Sequence, residues 1–165
     1  YNPYSENDLQ EGRITELFQE SIVTAYKEDS INFSSFDLVV VFHAGIGQDF
    51  SLPFLDPTPE DIPSTYVDQK MISDNLNEAG ITIGEHLIDR GIILPESQNH
   101  LLYDIAESMF GNATDPCEYQ YGLTGTFALM VGFAIGLPPL WNVESGESRV
   151  GVFGLMDQGL SLIHI

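Results

Sequence analysis

The chain has 165 residues, 43% of them hydrophobic, and 25 Asp and Glu against five Lys and Arg give a formal net charge of −20. That charge argues against a nucleic-acid binder, which needs cationic surface to displace counterions, and against docking on anionic lipid. It fits a solvated acidic surface that keeps the protein soluble, including in salty water where self-repulsion is screened.

One cysteine, Cys117, leaves no internal disulfide, no C-x-x-C zinc knuckle and no redox pair. The length suits one domain, and the apolar residues suffice for a core. The chain opens at Tyr1, and residues 160–165, Leu160-Ser-Leu-Ile-His-Ile165, read as a translated sequencing adaptor. The expectation is therefore a single domain over 1–159, cut at both ends, with a non-native tail that includes His164. The lack of a leader says nothing about export.

Residues 5–28 predict an amphipathic helix. Ile14, Leu17, Phe18, Ile22, Ala25 and Tyr26 follow three-four spacing on one face, with Ser5 or Asn7 as its cap. A turn-rich INFSSFD link leads to Leu38-Val-Val-Val-Phe42, a β-branched run that reads as a buried central strand. Residues 44–65, with two glycines and four prolines, read as a long structured loop. Residues 66–79 follow as a strand and a short helix.

Residues 81–96, ITIGEHLIDRGIILPE, read as extended, because Gly84 and Gly91 oppose a helix; Ile92-Ile-Leu94 before Pro95 marks a strand end. A short helix at 100–110 and a polar loop at 112–120 come next. Gly122 to Trp141 is then an uncharged run of membrane-spanning length, with G-x-x-x-G at Gly132 and Gly136. Its four glycines, its two threonines, its Pro138-Pro139 end and the lack of flanking cations favour a helix buried on all sides in a soluble domain.

Gly136-Leu-Pro-Pro-Leu-Trp-Asn142, then Glu144-Ser-Gly, then Gly151-Val-Phe-Gly-Leu-Met-Asp-Gln-Gly159 carry a likeness. With VVVFHAGIGQDF, DPTPEDIPS, GIILPE and GLTGT upstream, the chain over 14–159 resembles the immune-inhibitor-A-like secreted zinc metalloproteases of bacteria. In that family the active-site helix carries H-E-x-G-H-x-x-G-L-P, and a downstream F/W-x-L-M turn sets a methionine under the metal. Two histidines one helical turn apart hold zinc, the glutamate is general base to the bound water, and a third ligand follows the glycine.

Anchored on Gly136-Leu137-Pro138, the likeness places the first histidine at Leu129, the base at Met130, the second histidine at Phe133 and the third ligand at Pro139. Gly132, Gly136, Leu137, Pro138 and Met156 are kept. Apolar side chains thus stand at every position that would bind zinc or move a proton, and the resemblance implies a fold without its catalysis.

Other constellations are weaker. His43 ends the expected central strand and reads first as a hydrogen-bonded structural histidine. Glu85, His86 and Asp89 offer N and O ligands, but an extended segment does not converge them; His100 lies in a polar linker. Asp49, Asp56, Glu60 and Asp61 surround the proline-rich loop without a calcium-loop pattern, and Cys117 has no nucleophile signature. Asn32-Phe-Ser34 and Asn112-Ala-Thr114 match the weak glycosylation sequon.

The expected fold is α+β of the zincin type. A twisted mixed sheet includes 38–42 and 91–94, with helices near 7–28 and 124–137, the second being the buried former active-site helix. The expected function is a catalytically inactive, metalloprotease-like domain of an exported bacterial protein, extracellular or on the cell surface. It holds no zinc or other cofactor, and it binds or scaffolds, taking a peptide along an edge strand at 91–95. The alternatives are an active hydrolase with a relocated site at His43 or Glu96, and a membrane-anchored protein spanning at 122–141.

Overall fold

The computed structural model describes residues 7–47, 62–98, 123–143 and 145–157. Its first element is the helix α1 (Asn7–Asp29). Ile14, Phe18 and Ile22 recur every four residues, so they share one face, and all three are buried. Thr15 lies on the same buried side and satisfies its hydroxyl locally, donating to Glu11 O at 2.7 Å. The expected face ran on to Tyr26, but that residue is 43% exposed. A 3₁₀ turn (Phe33–Ser35) follows, and Asn32 caps it by accepting from Ser34 N at 3.2 Å. The turn drives Phe33 into the core.

Among the described residues three strands form the main sheet: β1 (Val39–Gly47), β2 (Thr65–Val67) and β5 (Gly91–Gln98), in the order β1-β5-β2. β1 runs parallel to β5 and β2 antiparallel to it. This order corrects two expectations. The 38–42 run is at an edge of the described sheet, with Phe42 61% exposed. The 91–95 segment is the central strand, because Gly91-Ile-Ile-Leu-Pro95 is buried throughout. Gly91, Ile92 and Ile93 pair on both sides, so a peptide cannot add to the strand there.

Pro95, expected as a strand end, lies inside β5, opposite His43. β2 stops pairing at Ile93, so no N–H is required of the proline on that side. Gly91 is sterically obligatory. A Cβ there would enter the Phe18 ring and stand 2.9 Å from Val39 O.

Between β2 and β5 lie α2 (Gln69–Leu76) and a hairpin of β3 (Ile81–Ile83) and β4 (His86–Ile88). Asp68 caps α2 by accepting from Met71 N at 2.7 Å, and the left-handed Asn77 ends it. Ile72, Ile81, Ile83 and Ile88 join the α1 residues, Val67 and Ile93 in one core cluster.

The last helix, α3 (Thr124–Ala134), packs against β2 and β5. It stops three residues short of the expected 137. It is also not buried on all sides. Gly125, Thr126, Leu129 and Gly132 are buried, whereas Phe127 is 40% exposed. Among the described residues no helix is long and apolar enough to cross a membrane. The uncharged run from 122 to 141 breaks at Gly136 into a helix cap and a turn.

The described residues thus form a small mixed α+β fold. The expected cap at Ser5, the acidic residues Asp49, Asp56, Glu60 and Asp61, the helix at 100–110 with His100, and Asn112, Cys117 and the tail at 160–165 lie outside them.

Candidate functional site

The four positions singled out by the likeness cluster around α3. Leu129 and Phe133 are one turn apart on the helix, so they share a face. Leu129 is buried; Met130, Phe133 and Pro139 are half-buried. The Phe133 ring stacks on Tyr66 of β2, with centroids 6.1 Å apart, and meets Trp141 edge-on at 5.9 Å. Both separations suit aromatic attraction. Carbon therefore occupies the face where the resemblance would put imidazole nitrogens.

Beside Gly132 of the same helix lies Met156. It is buried, and a Cβ on Gly132 would stand 2.5 Å from its Sδ. The thioether thus rests on the helix backbone at Gly132, and only glycine there allows the approach. The helix ends in a hydrogen-bonded cap. Gly136 N donates to Phe133 O and Leu137 N to Gly132 O, both at 2.9 Å, with Gly136 at φ +89°. This is the Schellman arrangement, whose left-handed residue is normally glycine. Past Pro138-Pro139 the chain returns, and Leu140 N donates to Met156 O at 2.7 Å. Helix, glycine turn and methionine turn are thereby held as one unit.

Asp157 anchors the second side of that unit. It is buried, and its Oδ2 accepts from Val150 N at 2.7 Å, Arg149 N at 2.9 Å, Ser148 Oγ at 3.0 Å and Gly151 N at 3.1 Å. Burial works to raise its pKa. The Val150 and Arg149 amides, the Ser148 hydroxyl and the Gly151 amide together outweigh burial and hold the carboxyl below its ordinary value. Its Oδ1 is buried with no hydrogen-bond partner among the described residues.

The other predicted residues are elsewhere. His43 and Glu96 both lie toward the Gly47 end of the β1–β5 pair, but they make separate bonds. His43 Nδ1 is 3.0 Å from Ala44 O, and Glu96 Oε2 accepts from Gly45 N at 3.3 Å. His43 Nε2 is buried without a partner among the described residues. His86 sits in the hairpin and lines a different cavity, with Asp89 and Arg90. Among the described residues no three His, Cys, Asp or Glu side chains group as metal ligands.

Sequence reasoning missed Tyr66, the role of Trp141 and the role of Asp157. The signal for Asp157 was present: an acid directly after the methionine of an otherwise apolar turn. The chain matches no family model, no curated protein and no solved structure.

Proposed function

We propose that this chain is a catalytically silent domain of the zincin type, akin to the immune-inhibitor-A-like metalloproteases, which acts outside the cell or at its surface by binding a partner. One observation carries the reading. A methionine turn lies against a helix at a glycine, Met156 on Gly132, and the neighbouring helix positions Leu129 and Phe133 are apolar. A hydrolytic zinc site needs nitrogen or carboxylate donors there. Leu129, Phe133 and Pro139 have none, and Met130 offers no proton acceptor to a bound water. The side chains do not fit the metal.

The test is zinc content by elemental analysis, with cleavage of an unfolded protein substrate followed alongside. Expected are zinc close to zero per chain and no cleavage that a chelator abolishes. One tightly held zinc with chelator-sensitive cleavage would overturn the reading. In a second experiment Leu129→His, Met130→Glu and Phe133→His are combined. If the helix descends from a zinc site, the triple variant gains zinc that the parent does not hold. No gain in a folded variant would argue against that origin.

A relocated active site has one supporting observation, the buried Nε2 of His43, which has no partner among the described residues. It requires cleavage that His43→Ala removes.

A further inference from the structure

The register of β1 with β5 begins at Val39 and Gly91. On the N-terminal side of that register one cavity, of about 240 Å³, is lined by residues 33, 36–39 and 86–90. Pockets for drug-sized ligands start at about 300 Å³, so the occupant of this one is small. Its apolar wall includes Phe33, Phe36 and Leu87. Phe33 belongs to the core, whereas Phe36 and Leu87 are 60% and 48% exposed. A ligand seated there therefore has apolar surface to cover.

Four polar side chains share the same lining: Asp37, His86, Asp89 and Arg90. Two of them satisfy each other. Arg90 Nε donates to Asp89 Oδ1 at 2.9 Å and its second terminal nitrogen to Oδ2 at 3.5 Å, so those two charges cancel. His86 is neutral in the count that gives net −20. Asp37 makes no side-chain hydrogen bond or ion pair with another described residue. It is left as the one unbalanced charge of the cavity. The field of a chain of net −20 adds to it, drawing cations in and turning anions away.

We propose that this cavity binds a small organic ammonium ion with an apolar body, the ammonium at Asp37 and the body against Phe36 and Leu87. An anion of the same shape would meet Asp37. A neutral molecule would cover the wall and leave Asp37 unused. A bare metal ion would find one uncommitted carboxylate and gain nothing from the wall, and among the described residues no three ligand side chains group to hold it. Only an apolar cation uses both features. The site rests on these residues alone and does not depend on how α3 is read.

The test is calorimetric titration of the full chain with phenethylamine, phenethyl alcohol, phenylpropionate and ethylamine. Phenethylamine is expected to saturate one site. Ethylamine lacks the ring and should bind at least about tenfold more weakly. Phenethyl alcohol lacks the charge and should bind about threefold more weakly, the scale of an exposed ion pair, with phenylpropionate weaker again. Asp37→Asn should bring phenethylamine down to the level of the alcohol and leave the alcohol unchanged, with an unaltered circular dichroism spectrum. Glu147→Gln removes an exposed acid elsewhere and should leave both ligands unchanged. The proposal is overturned if phenethylamine fails to saturate, if any of the three analogues binds as well, or if folded Asp37→Asn keeps the preference for the amine. It is equally overturned if Glu147→Gln loses that preference to the same extent, which would mean counterion condensation on an acidic surface.

Discussion

The contact between Gly132 and Met156 makes a prediction with a definite sign. In a helix interior, Gly→Ala ordinarily stabilises by about 0.5–1 kcal/mol, because alanine loses less backbone entropy. Here the added methyl would stand 2.5 Å from Sδ and 3.1 Å from Cε of a buried methionine. Overpacking of that kind costs about 1–3 kcal/mol. Gly132→Ala is therefore expected to destabilise by about 1 kcal/mol, the reverse of what the isolated helix would show. Met156→Ala alone should cost about 2–5 kcal/mol as a core truncation. In the double variant the methyl has room, and Gly132→Ala should become neutral or stabilising. The cycle should then show a favourable coupling of about 1–3 kcal/mol. Urea unfolding of the four proteins by far-ultraviolet circular dichroism, with m-values compared, measures it. Additivity within about 0.5 kcal/mol would mean the thioether does not lie on the helix, and the structural argument for the proposed function would fall with it.

Gly91→Ala forces a methyl into the Phe18 ring and toward Val39 O, neither of which can move away, and should cost about 3 kcal/mol, read as a drop in the thermal midpoint. Gly136→Ala places a side chain at φ +89° and should cost about 1–2 kcal/mol, with Gly136→Asn costing less; equal urea midpoints for all three proteins would remove the Schellman cap from the account. Asp157 titrates lower when folded than its ordinary 3.8, so its stabilising effect is complete above that value and is lost as pH falls through the lower folded value. The stability gap between the parent and Asp157→Asn should accordingly be constant from pH 7 to pH 5 and narrow below about 3.8, as urea midpoints at pH 7, 5 and 3 would show; a gap unchanged at pH 3 would contradict the hydrogen-bonded carboxylate.

What the sequence made legible was local. The four-residue spacing of Ile14, Phe18 and Ile22 announces α1 because helix periodicity is written into neighbouring positions. Gly84 and Gly91 similarly mark 81–96 as strands. Strand order was not legible. Val39-Val-Val and Ile92-Ile-Leu94 look alike as runs, and which is central depends on partners far along the chain. Pro95 misled for the same reason, since its cost vanishes only because β2 stops at Ile93. At the candidate site, the apolar character of Leu129 and Phe133 was plain. Their enclosure by Tyr66 and Trp141 was not, because Tyr66 comes from a strand more than sixty positions earlier. Asp157 was marked only by its place directly after Met156 in an apolar turn; among 25 acids nothing else set it apart as the buried one.

The parallel pairing of β1 with β5 also sets how much chain must be looped out before the sheet closes. The β3–β4 hairpin closes over two residues. A hairpin of that kind forms on microsecond scales. Val39 reaches Gly91 only after about fifty residues have been looped out, so the entropy of that closure precedes any reward from the ladder. The β1–β5 seam thus carries a larger closure cost than the hairpin. Unpaired, Ile92-Ile-Leu94 is an open apolar strand, and a net charge of −20 opposes its association with another copy.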